Sequence, residues 1–197
     1  YSIICSYLNI METLKTLLSR RSISKLISPH PSPKEMEDVY QAALRAPDHS
    51  WLRPWKFIEI TGDSRSKLGK VFVKATKKYE EIDEERENKI AALPLRSPMI
   101  IVVIASINHD KPNVPRLEQI QSTAAAAQNI LLALHDKGYG AYWRTGKYST
   151  ERNQYIANEL LLDSNDEVLG YLYVGTPEGD APKIPELDNK DFVIYWR

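Results

Sequence analysis

The sequence predicts a single domain in which helices and strands alternate along the chain. The first observation is the length, because 197 residues are usual for one domain. The second is residues 99–105, an apolar run of mostly β-branched residues that is typical of a central strand covered on both faces. The third is residues 117–137, the longest clean helical pattern in the chain.

The composition excludes several classes of protein. Lys+Arg and Asp+Glu both number 26, which excludes nucleic-acid binding mainly through bulk positive charge. A hydrophobic content of 43% argues against disorder, and no apolar run approaches the roughly 20 residues of a membrane-spanning helix. Cys5 is the only cysteine, so an internal disulfide and a cysteine-based zinc site are excluded, and a reducing, cytoplasmic compartment is expected.

The first ten residues differ from the rest of the chain. Residues 1–10 carry no charge and no methionine, and they lack the basic start of a secretory signal. Met11 opens an amphipathic stretch in which Leu14, Leu17 and Leu18 share one face. We therefore expect residues 1–10 to be an upstream extension and residues 11–197 to be the domain.

A second helix is predicted after a proline-rich connection. Ser32, Pro33 and Glu35 have the spacing of an N-cap, a first helical position and a capping box. We expect this helix to run to about Arg45. The residues expected to be buried on it are Met36, Val39, Tyr40, Ala43 and Leu44.

A strand and a charged helical region follow. Residues 55–61 alternate apolar and polar side chains, as in a half-buried strand. Residues 64–93 contain no proline and no glycine after Gly69, so they predict a long helical region. Its acidic part, residues 80–87, is interpreted as a solvated face.

The second half of the chain continues the alternation. Residues 124–127 give the long helix a face of alanines that allows another backbone or a flat ring to approach. Later elements are a strand at residues 141–143, a helix at 149–162 capped by Ser149 or Thr150, and a strand at 168–174. Residues 192–196 predict a terminal apolar strand, which is not stable alone and is expected to pair with another subunit.

The sequence offers no recognisable metal or hydrolase site. No two of its four histidines have the i, i+4 spacing of a helical metal site. No serine lies in a G-x-S-x-G elbow, and the glycines form neither G-x-G-x-x-G nor a P-loop. We therefore predict no metal ligands.

Arginines lie at predicted element ends beside small hydroxyl residues. Residues 20–22, Arg-Arg-Ser, end the first helix, Arg45 ends the second, and Arg144 precedes Thr145 after a strand. Arginine grips phosphate with two parallel hydrogen bonds, and a hydroxyl adds a neutral donor. The pattern fits an anionic ligand, and ordinary surface salt bridges are the alternative.

Five segments in order resemble the FMN-dependent nitroreductases, in particular their short single-domain NAD(P)H nitroreductase branch. They are Arg-Arg-Ser-Ile-Ser-Lys at residues 20–25, Arg-Ala-Pro-Asp-His through Arg-Pro-Trp-Lys-Phe at 45–57, the alanine-containing helix at 116–138, Gly-Tyr-Gly-Ala-Tyr-Trp-Arg-Thr-Gly at 138–146, and Leu-Gly-Tyr-Leu-Tyr-Val-Gly-Thr-Pro at 169–177. Three positions depart from the family pattern: Lys25 replaces an arginine, Trp51 an asparagine and Arg53 a glutamine.

This resemblance implies a fold and a set of FMN-binding residues. The fold is α+β, with a mixed, mainly antiparallel sheet flanked by helices, in a homodimer that exchanges its C-terminal strand. Two FMN sites lie at the interface. One subunit supplies Arg20, Arg21 and Ser22 to the phosphate and ribityl end, joined by Arg144, with Trp143 and Thr145 completing the wall, and its partner supplies Arg45 and His49. Lys137 and Gly138 are placed on the nicotinamide side.

The resemblance also implies an activity. FMN accepts hydride from NAD(P)H and passes it to a small acceptor such as a nitroaromatic or a quinone, by ping-pong kinetics. Hydride transfer requires no protein acid or base, so no catalytic residue is predicted. A non-catalytic FMN carrier or sensor, and a related reductive enzyme such as a dehalogenase, are the alternatives.

Overall fold

The computed structural model describes residues 13–196, so the expectation for residues 1–10 lies outside the described residues. Residues 13–19 are helical and are called α1. The other helices are α2 (Pro33–Ala43), α3 (Ser64–Lys77), α4 (Glu84–Ala91), α5 (Arg116–Asp136) and α6 (Asn153–Glu159). The strands are β1 (Leu26–Ile27), β2 (Trp55–Thr61), β3 (Met99–Ser106), β4 (Gly140–Arg144) and β5 (Asp166–Pro177).

The strands form an antiparallel sheet between two helical layers. The sheet order is β1-β5-β3-β2, and β4 also pairs with β5. β3 is buried on both faces, as predicted: Ile101 and Val103 pack with α2 and α5, whereas Ile100 and Ile104 pack with α3 and α6. The predicted α+β fold, with a mainly antiparallel sheet flanked by helices, is confirmed.

The start of α2 is confirmed and its end differs from the prediction. Ser32 and Glu35 form the predicted capping box, with the Ser32 N–H donating to Glu35 Oε2 at 2.8 Å. The helix ends at Ala43. The prediction that Leu44 is buried is wrong, because Leu44 lies beyond the last turn and is exposed, and Tyr40 is only partly buried.

Two predictions about local structure are wrong, and one element was missed. Residues 64–93 form two helices separated at residues 78–83, rather than one helical region. Ser149 and Thr150 do not cap α6, because their hydroxyls donate to the Gly146 carbonyl in the preceding turn. The short β1 was not predicted, since two residues are too few to show a period.

The C-terminal arm, residues 184–196, forms no strand within the described chain. It contains one short 3-10 turn, Asn189–Asp191. Large apolar side chains on the arm are exposed, and Trp196 is 99% exposed. The strand predicted at residues 192–196 requires a partner subunit, so the single subunit does not test it, and its exchange with a partner stays a prediction.

Candidate functional site

The segment Arg20–Ser22 directly follows α1 in the chain, and in space it lies beside the start of β4. The Ile23 N–H donates to the Ala141 carbonyl at 3.1 Å, which holds this segment against β4. Nearby, Ser19 Oγ lies 2.8 Å from His135 Nε2 at the end of α5. Burial, followed by the charges of Arg20 and Arg21, lowers the pKa of His135. Both guanidinium groups therefore contribute positive potential to one small region.

The two guanidinium groups are available to an anion. Within residues 13–196, neither Arg20 nor Arg21 forms an ion pair with a carboxylate. By contrast, Arg86, Arg116 and Arg152 each bind a glutamate. The salt-bridge alternative for residues 20–22 therefore has no support among the described residues.

The other end of β4 carries Trp143 and Arg144 on opposite faces of the sheet. Arg144 shares its face with Tyr142, whose ring stacks on Tyr173 with centroids 4.8 Å apart. Burial raises the pKa of Tyr142, and the charges of Arg144 and Arg96 act against that effect. Arg144 also has no carboxylate partner in the described part of the chain.

Trp143 packs closely over Gly170 of β5. A Cβ atom at Gly170, whose φ is 153°, would lie 2.3 Å from Trp143 Nε1 and 2.8 Å from the Arg144 carbonyl oxygen. The Trp143 N–H is buried without a hydrogen-bond acceptor in the described structure. Gly170 therefore fixes how closely β4 approaches β5 at this end.

The predicted residues of one subunit fall into two groups along β4. Residues 20–22 lie beside Ala141, whereas Arg144 lies three residues further along the strand, a main-chain distance of about 10 Å. Arg144 acts on the pKa of Tyr142 and Tyr173, while Arg20 and Arg21 act on His135. The structure therefore spreads the positive charge along β4.

Arg45 and His49 lie on the α2–α5 face. Arg45 lines a cavity of about 540 Å³ together with Leu17, Asn129 and Asp136. His49 Nδ1 lies 2.8 Å from Glu118 Oε2, and both side chains are about half exposed. His49 thus binds a carboxylate of its own chain, and its predicted role at a partner's flavin stays a prediction.

The loop between α2 and β2 has an unusual backbone. Ser50, Trp51 and Arg53 have φ values of 60°, 58° and 49°, a region that costs free energy for residues other than glycine. The Arg53 N–H donates to Asp48 Oδ2 at 2.8 Å and helps to hold this shape. Trp51 is 81% exposed, so its indole is presented to solvent in the single subunit.

The proposed nicotinamide-side residues are tied to α2. Lys137 Nζ lies 2.7 Å from Asp38 Oδ2, and this hydrogen bond raises the pKa of Lys137. Gly138 has a φ of 83° at the end of α5, as a helix C-terminus requires. The geometry explains both residues structurally and adds no support for nicotinamide binding.

Sequence reasoning missed one cluster of charged residues. Glu80, which was assigned to a solvated face, binds Arg86 and the buried Arg152. Its hydrogen bond with Arg152 is the main cause of the lowered pKa of Glu80. Glu80 and Arg152 are 72 positions apart in the sequence, so no local sequence pattern signals the pair.

Two further findings concern only residues 13–196. No group of three or more His, Cys, Asp or Glu side chains in this range could hold a metal ion. None of the helices within it has both the length and the apolar character needed to cross a membrane.

Comparison with known proteins gives consistent matches. The model of the Nitroreductase family matches residues 17–176. An Escherichia coli (strain K12) protein named "Putative NAD(P)H nitroreductase YdjA" is 31% identical over 187 residues, which are 94% of this chain and 100% of that protein. A nitroreductase-like family protein from Bacillus cereus has a TM-score of 0.78 at 20% identity, covering 93% of this chain and 95% of its own. The FMN-dependent nitroreductase NfnB from Mycobacterium smegmatis, solved in complex with NADPH, has a TM-score of 0.73 at 15% identity, covering 95% and 99%.

Proposed function

Because this chain belongs to the Nitroreductase family and is an oxidoreductase, we propose that it uses FMN to pass hydride from NAD(P)H to a small acceptor such as a nitroaromatic or a quinone. The observation that carries the proposal is the pair of guanidinium groups of Arg20 and Arg21, which have no carboxylate partner in the described chain and lie next to the Ser22 hydroxyl at the start of β4.

The donor set at this end of β4 fits a phosphate group. FMN phosphate carries nearly two negative charges and offers strong acceptor oxygens, which several arginine N–H groups and one hydroxyl can satisfy. An isolated cluster of guanidinium groups is unfavourable, because nothing offsets their mutual repulsion. A bound phosphate removes that repulsion, so Arg20, Arg21 and Ser22 are proposed to hold it.

The far end of β4 is proposed to flank the flavin ring. Residues 143–145 lie about 10 Å of main chain away from the proposed phosphate site, which suits the two ends of one elongated cofactor. Because Trp143 and Arg144 are on opposite faces of the sheet, Arg144 is proposed to contribute its side chain and Trp143 its main chain. When bound, FMN supplies the hydride chemistry. This placement departs from the expectation that Arg144 joins Arg20 and Arg21 at the phosphate, because Arg144 lies three strand residues beyond Ala141, which contacts Ile23. Near the ring, Arg144 would contribute positive charge where reduction builds negative charge.

The second half of each site is proposed to come from a partner subunit. Arg45, His49 and Trp51 lie on or beside the α2–α5 face, and the apolar arm lies exposed in the single chain. Exposed apolar side chains in this number favour association. A homodimer would cover them and bring Arg45 and His49 to the neighbouring FMN, with donor and acceptor entering the same pocket in turn.

The proposal is tested by absorbance spectroscopy on the purified protein. We expect a flavin spectrum that NADH or NADPH bleaches and that a nitroaromatic or quinone restores. A bound flavin that neither nucleotide bleaches would instead favour a carrier or sensor.

Variants locate the cofactor. Arg21→Ala and Arg144→Ala should each weaken FMN binding about tenfold to a hundredfold, because each removes a charge-assisted interaction. Lys70→Ala, on the exposed side of α3, is the control. Equal FMN retention in all three variants would contradict the assignment of the β4 residues.

A further inference from the structure

A second cavity adjoins the proposed flavin-ring end of β4. It has a volume of about 250 Å³ and lies between α4 and the turn that follows β4. We call it the Glu80 cavity. The residues that matter for the argument are Glu80, Arg86, Arg144, Lys147, Tyr148 and Arg152.

The Glu80 cavity contains more positive than negative charge. Arg86, Arg144, Lys147 and Arg152 line it, and Glu80 is the carboxylate among its lining residues. Glu80 Oε1 faces both Arg152 and Lys147, with Lys147 Nζ at 3.6 Å, and Glu80 Oε2 lies 2.9 Å from Arg86. One carboxylate is therefore shared by three cations, and Arg144 has none.

Arg152 is built into the wall of the cavity. Its side chain is 3% exposed and donates to Thr76 Oγ1 at 2.8 Å. The rings of Tyr148 and Tyr79 lie 5.3 and 5.9 Å from its guanidinium carbon. Its Nε–H is buried without an acceptor in the described structure, and a buried donor that makes no hydrogen bond costs free energy. The Arg152 guanidinium is therefore held in place, and its Nε–H makes no hydrogen bond within the described residues.

Part of the remaining wall is apolar. Ile90, Leu93 and the Tyr148 ring line the same cavity. An apolar wall with a few fixed charges is the usual design of a small-molecule site. A cavity of this size accommodates one ring with an anionic substituent better than a whole nucleotide.

We propose that the Glu80 cavity binds the carboxylate of a small aromatic acceptor beside Arg144. This inference rests on the proposed function, since it names the acceptor class of the same site. Arg144 and Thr145 belong both to the cavity wall and to the proposed flavin wall, so a ligand held here lies next to the reducing centre.

Steady-state kinetics of the FMN-loaded protein with NADH test the proposal. The acceptors are 4-nitrobenzoate, which is an anion, and 4-nitrobenzamide, which is its neutral analogue. Lys147→Glu should raise the KM for 4-nitrobenzoate about fivefold, because a favourable charge near the surface is replaced by an unfavourable one. The KM for 4-nitrobenzamide in Lys147→Glu should stay within about twofold of wild type. Lys147→Arg keeps the positive charge and should keep the wild-type preference for 4-nitrobenzoate over 4-nitrobenzamide.

Lys70→Glu is the matched control, since it makes the same charge change on exposed α3 outside the cavity. The proposal would be overturned if Lys147→Glu changed the KM for both acceptors equally, or if Lys70→Glu raised the KM for 4-nitrobenzoate as much as Lys147→Glu does. The proposal would also be overturned if Lys147→Glu raised the KM for NADPH but changed neither the KM for NADH nor that for 4-nitrobenzoate. The cations would then bind the additional phosphate of NADPH.

A calorimetric titration with benzoate separates the two proposals. If Lys147→Glu weakens benzoate binding about fivefold while the protein reduces no nitro compound, the anion site stands and the proposed function fails. If the protein reduces 4-nitrobenzamide but wild type and Lys147→Glu bind benzoate equally, the function stands and the anion site fails.

Discussion

Replacing Gly170 with alanine should disrupt the end of β4 that we assign to the flavin ring. The new Cβ would lie 2.3 Å from Trp143 Nε1, 2.9 Å from Trp143 Cδ1 and 2.8 Å from the Arg144 carbonyl oxygen. Two of these atoms belong to a ring and the third to the main chain, so none can move without shifting β4. The φ of 153° at Gly170 adds backbone strain for any residue with a Cβ atom.

The expected loss of stability is large for one methyl group. Overpacking of this kind costs about 1–3 kcal/mol, and a disfavoured φ adds about 1–3 kcal/mol, so Gly170→Ala should lower the free energy of unfolding by about 2–6 kcal/mol. Urea denaturation followed by tryptophan fluorescence measures this quantity. FMN affinity should fall in the same variant, because Trp143 and Arg144 must move.

Gly62→Ala is the matched control for the crowding argument. Gly62 has a φ of 53°, and a Cβ there would meet no atom within 4 Å. That variant should lose only about 1 kcal/mol, from backbone strain, and should keep its FMN. If both variants lost equal stability, strain alone would explain Gly170, and the close packing of β4 would not matter.

The remaining predictions concern the arm, acid stability and the division of the site between subunits. Deleting residues 186–197 should give monomers or aggregates in light scattering, and a soluble, flavin-loaded dimer would refute a structural role. Burial raises the pKa of Asp166, but hydrogen bonds that include those from Lys56 outweigh it and lower that pKa. The stabilisation from ionised Asp166 is therefore complete above its ordinary pKa of 3.8 and is lost as pH falls below that value. Lys56→Met should flatten that part of the pH–stability curve. Heterodimers of His49→Ala with Arg21→Ala should contain one intact flavin site if the two residues serve different flavins, and no intact site if both serve the same one.

Local sequence patterns predicted the elements whose causes are local. The capping box of Ser32 and Glu35, the alternation of residues 55–61 and the apolar run of β3 each depend on neighbours within a few positions. The patterns failed where a distant contact decides the outcome. β1 exists because Leu26 and Ile27 pair with Pro177 and Thr176, about 150 residues further along the chain.

The candidate site shows the same division. Residues 20–22 and 143–145 could be singled out from sequence as candidates, because arginine beside serine or threonine is a composition typical of anion binding. Their separation along β4 could not, since it depends on the hydrogen bond between Ile23 and Ala141. The crowding of Trp143 against Gly170 likewise depends on the pairing of β4 with β5.

Glu80 shows why a charge run does not reveal its own function. In the sequence it belongs to an acidic stretch, and such stretches are usually solvated. In the fold, the chain turns between α3 and α4 at that point, and Glu80 meets a buried arginine from the start of α6. Glu80 supplies one negative charge to a cavity that four cations line, and its two oxygens already bind Arg86, Lys147 and Arg152. It therefore offsets only part of the positive potential, and none of its oxygens is left for Arg144. The net effect at Arg144 is therefore positive, and this is the physical reason for expecting an anionic ligand there.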